Sequence, residues 1–229
     1  MLFLRLSPVE YIYLFAAFLT GLTFHEASHA FVANLLGDDT AKKMGRLSLN
    51  PFAHLSPLGT LLILIFPVGF GKPVQIDAEK LRPGPKIGMA LVAIAGPITN
   101  FLLAFLLALP LRFHFVSFVP QKVFTLAGQN IFFSAGLLFE TMVSLSLALG
   151  LFNLIPISPL DGSRIWQIIL PSRWYWMVAR YEILGVFVVI GLVLTDFYLH
   201  LGILNRIICP PIQFLWQPIV GFGQPSGCG

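Results

Sequence analysis

The chain has 229 residues, of which 57% are hydrophobic and only 10% charged, and its mean hydropathy is +0.85. A soluble globular domain of ordinary composition does not carry that balance, so the composition excludes a water-soluble enzyme and indicates an integral membrane protein. The net charge of +4 is modest, and no nucleic-acid partner is expected.

Apolar runs at Tyr11–Leu36, Ile87–Leu111, Ile131–Ile157 and Ile183–Leu204, with a weaker one at Ile207–Val220, each approach or exceed the ~20 residues that cross about 30 Å of hydrocarbon. The expected fold is an all-α polytopic membrane protein of about five transmembrane helices, with a re-entrant segment and a short β element between the first two full spans. The connections are too short to bury a core of their own. Residues 1–229 are therefore read as one integral membrane domain, with its core at about 21–165 and C-terminal helices at 178–220.

The N-terminal run, with its single Arg5, continues past the length of a signal-peptide core and is read as a retained span. It contains the stretch "FHEASHAFVANLLG". In a helix His25 and His29 fall about 40° apart around the axis and about 6 Å along it, so two imidazoles can share one ion. Glu26 projects beside them. This is the H-E-x-x-H pattern, in which two His bind zinc and the Glu is the general base. Ionisable groups inside a span are costly and mark function, which favours the metal reading over mutually satisfied polar groups.

Lys42, Lys43, Arg46, Lys72, Lys80, Arg82 and Lys86 follow this span, and Arg164, Arg173 and Arg180 follow the third. The positive-inside bias puts both basic regions in the cytoplasm. Within the first of these regions Leu58–Phe70 has 13 residues, about 20 Å if helical and too short to cross, so it is read as re-entrant or interfacial. In "NPFAHLSP" His54 has three readings: metal ligation, gating of substrate entry, or a place in the headgroup region. In "GKPVQID" Val74 and Ile76 alternate with Gln75 as in a short strand, whose edge would add an extended substrate.

Asn100, in "AGPITN", is either a buried hydrogen-bonding residue between helices or part of the site; the adjacent Gly96 suits close helix approach. His114 and His200 lie near span ends, where an interfacial imidazole is ordinary. A catalytic zinc site needs a third protein ligand. The better donor is Asp161 in "NLIPISPLDGSRI", where Pro156 and Pro159 break the helix at a depth that tolerates irregular backbone only beside protein or a water-filled cavity. The bland reading is a turn that closes the span. Trp166, Trp174, Tyr175 and Trp176 read as an interfacial belt. With only Cys209 and Cys228, no disulfide framework is expected, and Cys228 is read as an incidental thiol.

"HEASH", "AGPITN" and "NLIPISPLDG", in that order and separated by apolar spans, resemble the site-two protease family of intramembrane zinc metalloproteases. "GRLSLNPFAHLSPLGTLL" and "GKPVQID" further resemble its compact branch without a PDZ or nucleotide-sensing domain. The resemblance implies one Zn²⁺ per chain bound by His25, His29 and Asp161, with Glu26 activating water and Asn153 helping to hold the substrate carbonyl or its oxyanion. It implies an endopeptidase that cuts single-span membrane proteins in a prokaryotic cell membrane. Ser56 and Ser163 depart from the family pattern and bear on loop geometry. The alternative is a divalent-metal transporter, but there is no second polar helix and no internal repeat.

Overall fold

The structure is a computed structural model and describes residues 7–57, 59, 71–126, 129–169, 171, 182–225 and 227–228. Helix α1 spans Pro8–Leu35. Its start is fixed by a capping box: Ser7 Oγ accepts from the Glu10 N–H at 3.3 Å and the Glu10 carboxylate accepts from the Ser7 N–H at 2.6 Å, with Pro8 in the first helical position. It ends at Gly37, whose φ of +109° suits glycine. A short helix, α2, covers Thr40–Lys43, and single 3₁₀ turns follow at Pro51–Ala53 and Ala78–Lys80. Helix α3 spans Pro85–Arg112 and helix α4 spans Ala135–Asn153. An antiparallel hairpin of β1, Gln121–Leu126, and β2, Gln129–Phe133, joins them. Then come α5 at Asp161–Trp166, α6 at Glu182–Leu199 and α7 at Ile203–Ile219.

Helices α1, α3 and α4 form the centre. His25 and His29 of α1 meet Asn100 and Val92 of α3, so those two run antiparallel. Tyr13 and Gly21 of α1 meet Ser134 and Leu149 at and beyond the start of α4, so those two run parallel. Each interface closes over a glycine: a Cβ on Gly21 would lie 2.9 Å from Leu149 Cδ1, and one on Gly150 would lie 3.0 Å from the Phe101 ring. Without a hydrophobic force between helices in lipid, such small residues let backbones approach and gain dispersion contacts. Among the described residues α3 and α4 are long and apolar enough to cross a membrane. With α1 as long as α3, at 28 residues each, the architecture is that of a predominantly helical membrane protein.

Three expectations need correction. The connection before α3 forms no strand at Val74–Ile76; its β contact is an isolated antiparallel bridge between Leu55 and Gly71. The Val74 and Asp77 N–H groups bond to carboxylates instead of a neighbouring strand. The strands lie after α3, and β2 takes residues that hydropathy assigned to the third span, which begins at Ala135 where Ser134 caps it. Lastly, Cys209 and Cys228 are bonded, with Cα atoms 5.4 Å apart. Asn205, Cys209, Gln213 and Gln217 recur every four residues on one face of α7, and the tail folds back along it. The Asn205, Gln213 and Gln217 amides donate to carbonyls of Gly227, Cys228 and Gly223. The expected re-entrant segment Leu58–Phe70 lies, except for Gly59, outside the described residues.

Candidate active site

His25 and His29 lie on one face of α1, about 15 Å and about 9 Å before its C-terminal end by helical rise. Both rings are buried, and they meet edge to face with centroids 4.6 Å apart. Helix α3 holds the outward nitrogen of each ring. His29 Nδ1–H donates to the Val92 carbonyl at 2.8 Å, and His25 Nδ1 lies 3.2 Å from the Asn100 side-chain amide. The two Nε2 atoms are thereby aimed at the same point. This approach requires Gly96: a Cβ there would stand 2.4 Å from His25 Cε1 and 2.6 Å from His29 Nε2.

Asp161 arrives from the other direction. After α4 ends at Asn153 the chain turns through Leu154–Leu160 and starts α5 with Asp161 in its first turn. The turn is tight enough that a Cβ on Gly162 would lie 2.2 Å from the Leu154 carbonyl oxygen, so the residue after Asp161 has to be glycine. Asp161 Oδ2 sits 3.0 Å from His25 Nε2 and 3.3 Å from His29 Nε2. One ligand atom from each of the three residues lies within 4.8 Å of the others, the one such cluster of metal-ligating side chains among the described residues. A tetrahedral zinc with bonds of roughly 2.0–2.1 Å spaces its ligands about 3.3–3.4 Å apart, so this donor set fits the ion with small adjustment.

The three residues line a cavity of about 340 Å³ whose walls also include Glu26, Val74, Met89, Ala93, Asn153 and Arg164. Glu26 Oε2 accepts from the Val74 N–H at 3.2 Å. Asn153 spends one amide N–H on the Leu149 carbonyl at 2.9 Å. His54 is not part of this cluster: it is fully buried, and its Nε2–H donates to the Ser48 carbonyl at 2.7 Å, which fixes a turn. His114 and His200 are elsewhere, in left-handed backbone, with His114 stacked on Phe222.

Asp38 is a residue that motif reading passed over. Burial works against its charge, yet the Thr40 side chain and N–H, the Asp77 N–H and the Lys80 ammonium together hold its carboxyl below the usual carboxylate range. Its place in "GDDT", just past a helix-ending glycine, was the available signal.

The chain matches the family described as Peptidase family M50 over residues 13–195. It is 37% identical to YwhC of Bacillus subtilis (strain 168) over 187 residues, which is 80% of each chain. It is 29% identical to Rip2 of Mycolicibacterium smegmatis (strain ATCC 700084 / mc(2)155), covering 69% of this chain and 58% of that protein. It is 25% identical to zinc metalloprotease MJ0392 of Methanocaldococcus jannaschii, covering 72% of this chain and 36% of that one. No solved structure matches the chain. The transporter alternative is not favoured. With helices α1, α3, α4 and α5 bringing together a zinc-type donor set and a carboxylate on one cavity, and with most of its length matched, the chain belongs to peptidase family M50, the site-two protease family of intramembrane zinc metalloproteases.

Proposed function

We propose that this enzyme hydrolyses peptide bonds within or near the transmembrane segment of single-span membrane proteins, in regulated intramembrane proteolysis or in clearing signal-peptide remnants. The observation that carries this reading is the convergence of His25, His29 and Asp161 beside Glu26 on one cavity, well inside the length of α1. His25, His29 and Asp161 would hold the zinc, which when bound would lower the pKa of water to about 7 and polarise a carbonyl.

The chain's own groups supply the rest. Glu26 takes the water proton and passes it to the leaving amine; its bond from Val74 keeps the carboxylate turned to the cavity. Asn153 has one amide N–H fixed on its own helix, so the other is free to point at the developing oxyanion, an interaction worth a few kcal/mol in other enzymes. A transmembrane substrate must unwind before cleavage, which leaves backbone groups unpaired. Val74–Ile76 lacks a strand partner among the described residues and borders the cavity, so it is the candidate to receive that extended backbone.

Because the end of α7 meets Arg112 at the close of α3, α7 adds no crossing, and α1, α3, α4 and α6 cross a prokaryotic cell membrane with the site open to the cytoplasm. The Leu55–Gly71 bridge supports this, because the two ends of the intervening stretch lie side by side and the connection starts and finishes on one face.

Elemental analysis of purified variants, together with cleavage of candidate single-span substrates, tests the assignment. His25→Ala, His29→Ala and Asp161→Ala are expected to hold well under one zinc per chain, whereas Glu26→Gln retains zinc and loses activity. Full zinc occupancy in Asp161→Ala would remove that residue from the site, and cleavage by Glu26→Gln would remove the proposed base.

A further inference from the structure

Two ions are buried in the connection between α1 and α3 where the proposed chemistry has no use for them. Asp38 is wholly buried and Arg46 is 5% exposed. Burial of a charge is costly unless hydrogen bonds replace its water, so their partners show what they hold. Asp38 Oδ1 accepts from the Thr40 N–H at 2.9 Å and Oδ2 accepts from the Asp77 N–H at 2.8 Å. The Arg46 guanidinium donates to the Ala53 carbonyl and, at 3.4 Å, to the Lys72 carbonyl. The Lys72 N–H in turn donates to the His54 carbonyl at 2.8 Å.

Both ions therefore act on one segment, Lys72–Asp77, from opposite ends. The segment itself is neither helix nor strand, and at its middle the Val74 N–H reaches Glu26. Asp38 is also tied to the helix that carries His25 and His29, since its N–H donates to the Ala33 carbonyl at 2.9 Å. The nearby backbone adds the Arg82 N–H on the Leu36 carbonyl at 2.9 Å. Any loosening of the segment moves Val74 relative to Glu26.

We propose that Asp38 and Arg46 are positioning residues that clamp Lys72–Asp77 at its two ends, keep Val74 on Glu26 and present the segment's backbone to substrate. The structural half stands on the contacts above, while the kinetic half rests on the proteolytic reading. Asp38→Asn tests the first end, because the amide keeps one acceptor oxygen and turns an NH₂ group against the other backbone donor. Arg46→Gln tests the second end independently by releasing the Lys72 carbonyl.

Amide hydrogen exchange of the purified, zinc-loaded protein is to be followed on peptides covering residues 72–77 and, as reference, on α3 and α4. In either variant, exchange at 72–77 is expected to rise about tenfold or more while the helices keep their protection, the loss of one charge-assisted bond acting on a local opening. Zinc content is expected to stay at the wild-type level. Cleavage of a helical single-span substrate is expected to fall about tenfold and to recover in part when helix-breaking residues are placed beside the scissile bond, a rescue that general destabilisation would not give. Unchanged exchange at 72–77 in both variants overturns the clamp. So does equal loss of protection across α3 and α4, which would make the pair a support of the whole fold. Raised exchange with unchanged cleavage overturns the kinetic half. A wild-type enzyme that cuts no such substrate would instead count against the proteolytic reading, and the exchange measurement would still decide the clamp.

Discussion

Asn100 is fully buried, with its amide 3.2 Å from His25 Nδ1 and its Oδ1 lacking a partner among the described residues. A His that binds metal through Nε2 carries its proton on Nδ1 and needs an acceptor there. Amide oxygen and nitrogen exchange places by a half-turn at the same shape, and the turned amide gives both Asn100 Oδ1 and His25 Nδ1–H a partner. Asn100→Ala is expected to weaken zinc binding about 10–100-fold, as loss of a ligand-orienting partner does elsewhere. Asn100→Asp keeps an acceptor and binds more tightly than the alanine variant. Competition with a chelator of known affinity measures this, and equal affinities for wild type and Asn100→Ala would end the argument. The sequence offered Asn100 either as a buried hydrogen-bonding residue between helices or as part of the site. It did not show which ring it meets, because the two lie 75 positions apart and their contact depends on how closely α3 approaches α1. The three ligand candidates were legible for the opposite reason: His25 and His29 carry their geometry in a four-residue spacing, and Asp161 sits in a broken helix.

At the level of the helices, Gly96 is where packing and chemistry coincide. A methyl group there has no room, because it would fall on both imidazoles rather than on a flexible side-chain end. Gly96→Ala is expected to push α3 from α1, misplace both rings and reduce bound zinc far below one equivalent. Gly191 in α6 provides the contrast: nothing lies within 4 Å of a Cβ there, and alanine favours a helix interior over glycine by roughly 1 kcal/mol. Gly191→Ala should leave zinc content intact. Equal zinc in the two variants would show that α3 has slack which the packing does not suggest. Hydropathy located α1, α3, α4 and α6 within a few residues. It misplaced the start of α4, because the apolar strand β2 runs straight into the helix and apolar content does not distinguish the two. Only the Ser134 cap marks the change. The extended reading of Val74–Ile76 failed as a strand because the Val74 N–H goes to Glu26 and the next fixed donor, Asp77, goes to Asp38, so the segment is pinned by carboxylates rather than by a neighbouring strand.

Across the whole molecule the two ends differ in character. The basic residues of the α1–α3 connection share an end with the site, while Arg112, at the close of α3, reaches the Pro218 carbonyl near the tail at 2.7 Å, and Phe222 stacks on His114. Disulfides persist on the oxidising side of a membrane and basic loops stay on the cytoplasmic side, so the tail and the site should open to opposite faces. A membrane-impermeant reductant added to intact cells is expected to open Cys209–Cys228. In a background lacking both cysteines, single cysteines near Lys43 and Lys80 should label only from the cytoplasm. Labelling of those two positions from opposite faces would contradict a shared site. The pairing of Cys209 with Cys228 was hidden in a Gly- and Pro-rich tail whose return along α7 is visible only once the polar stripe of that helix has found its partners.

The wide separation of His29 from Asp161 along the chain has a consequence for the enzyme's birth. During synthesis α1 enters the membrane with two of the three proposed zinc donors, but the third emerges only after α3, the hairpin and α4 have been made. A nascent chain is then a protease without a site, and it cannot cut its neighbours in the insertion machinery. The order of the helices delays activity until the core is whole.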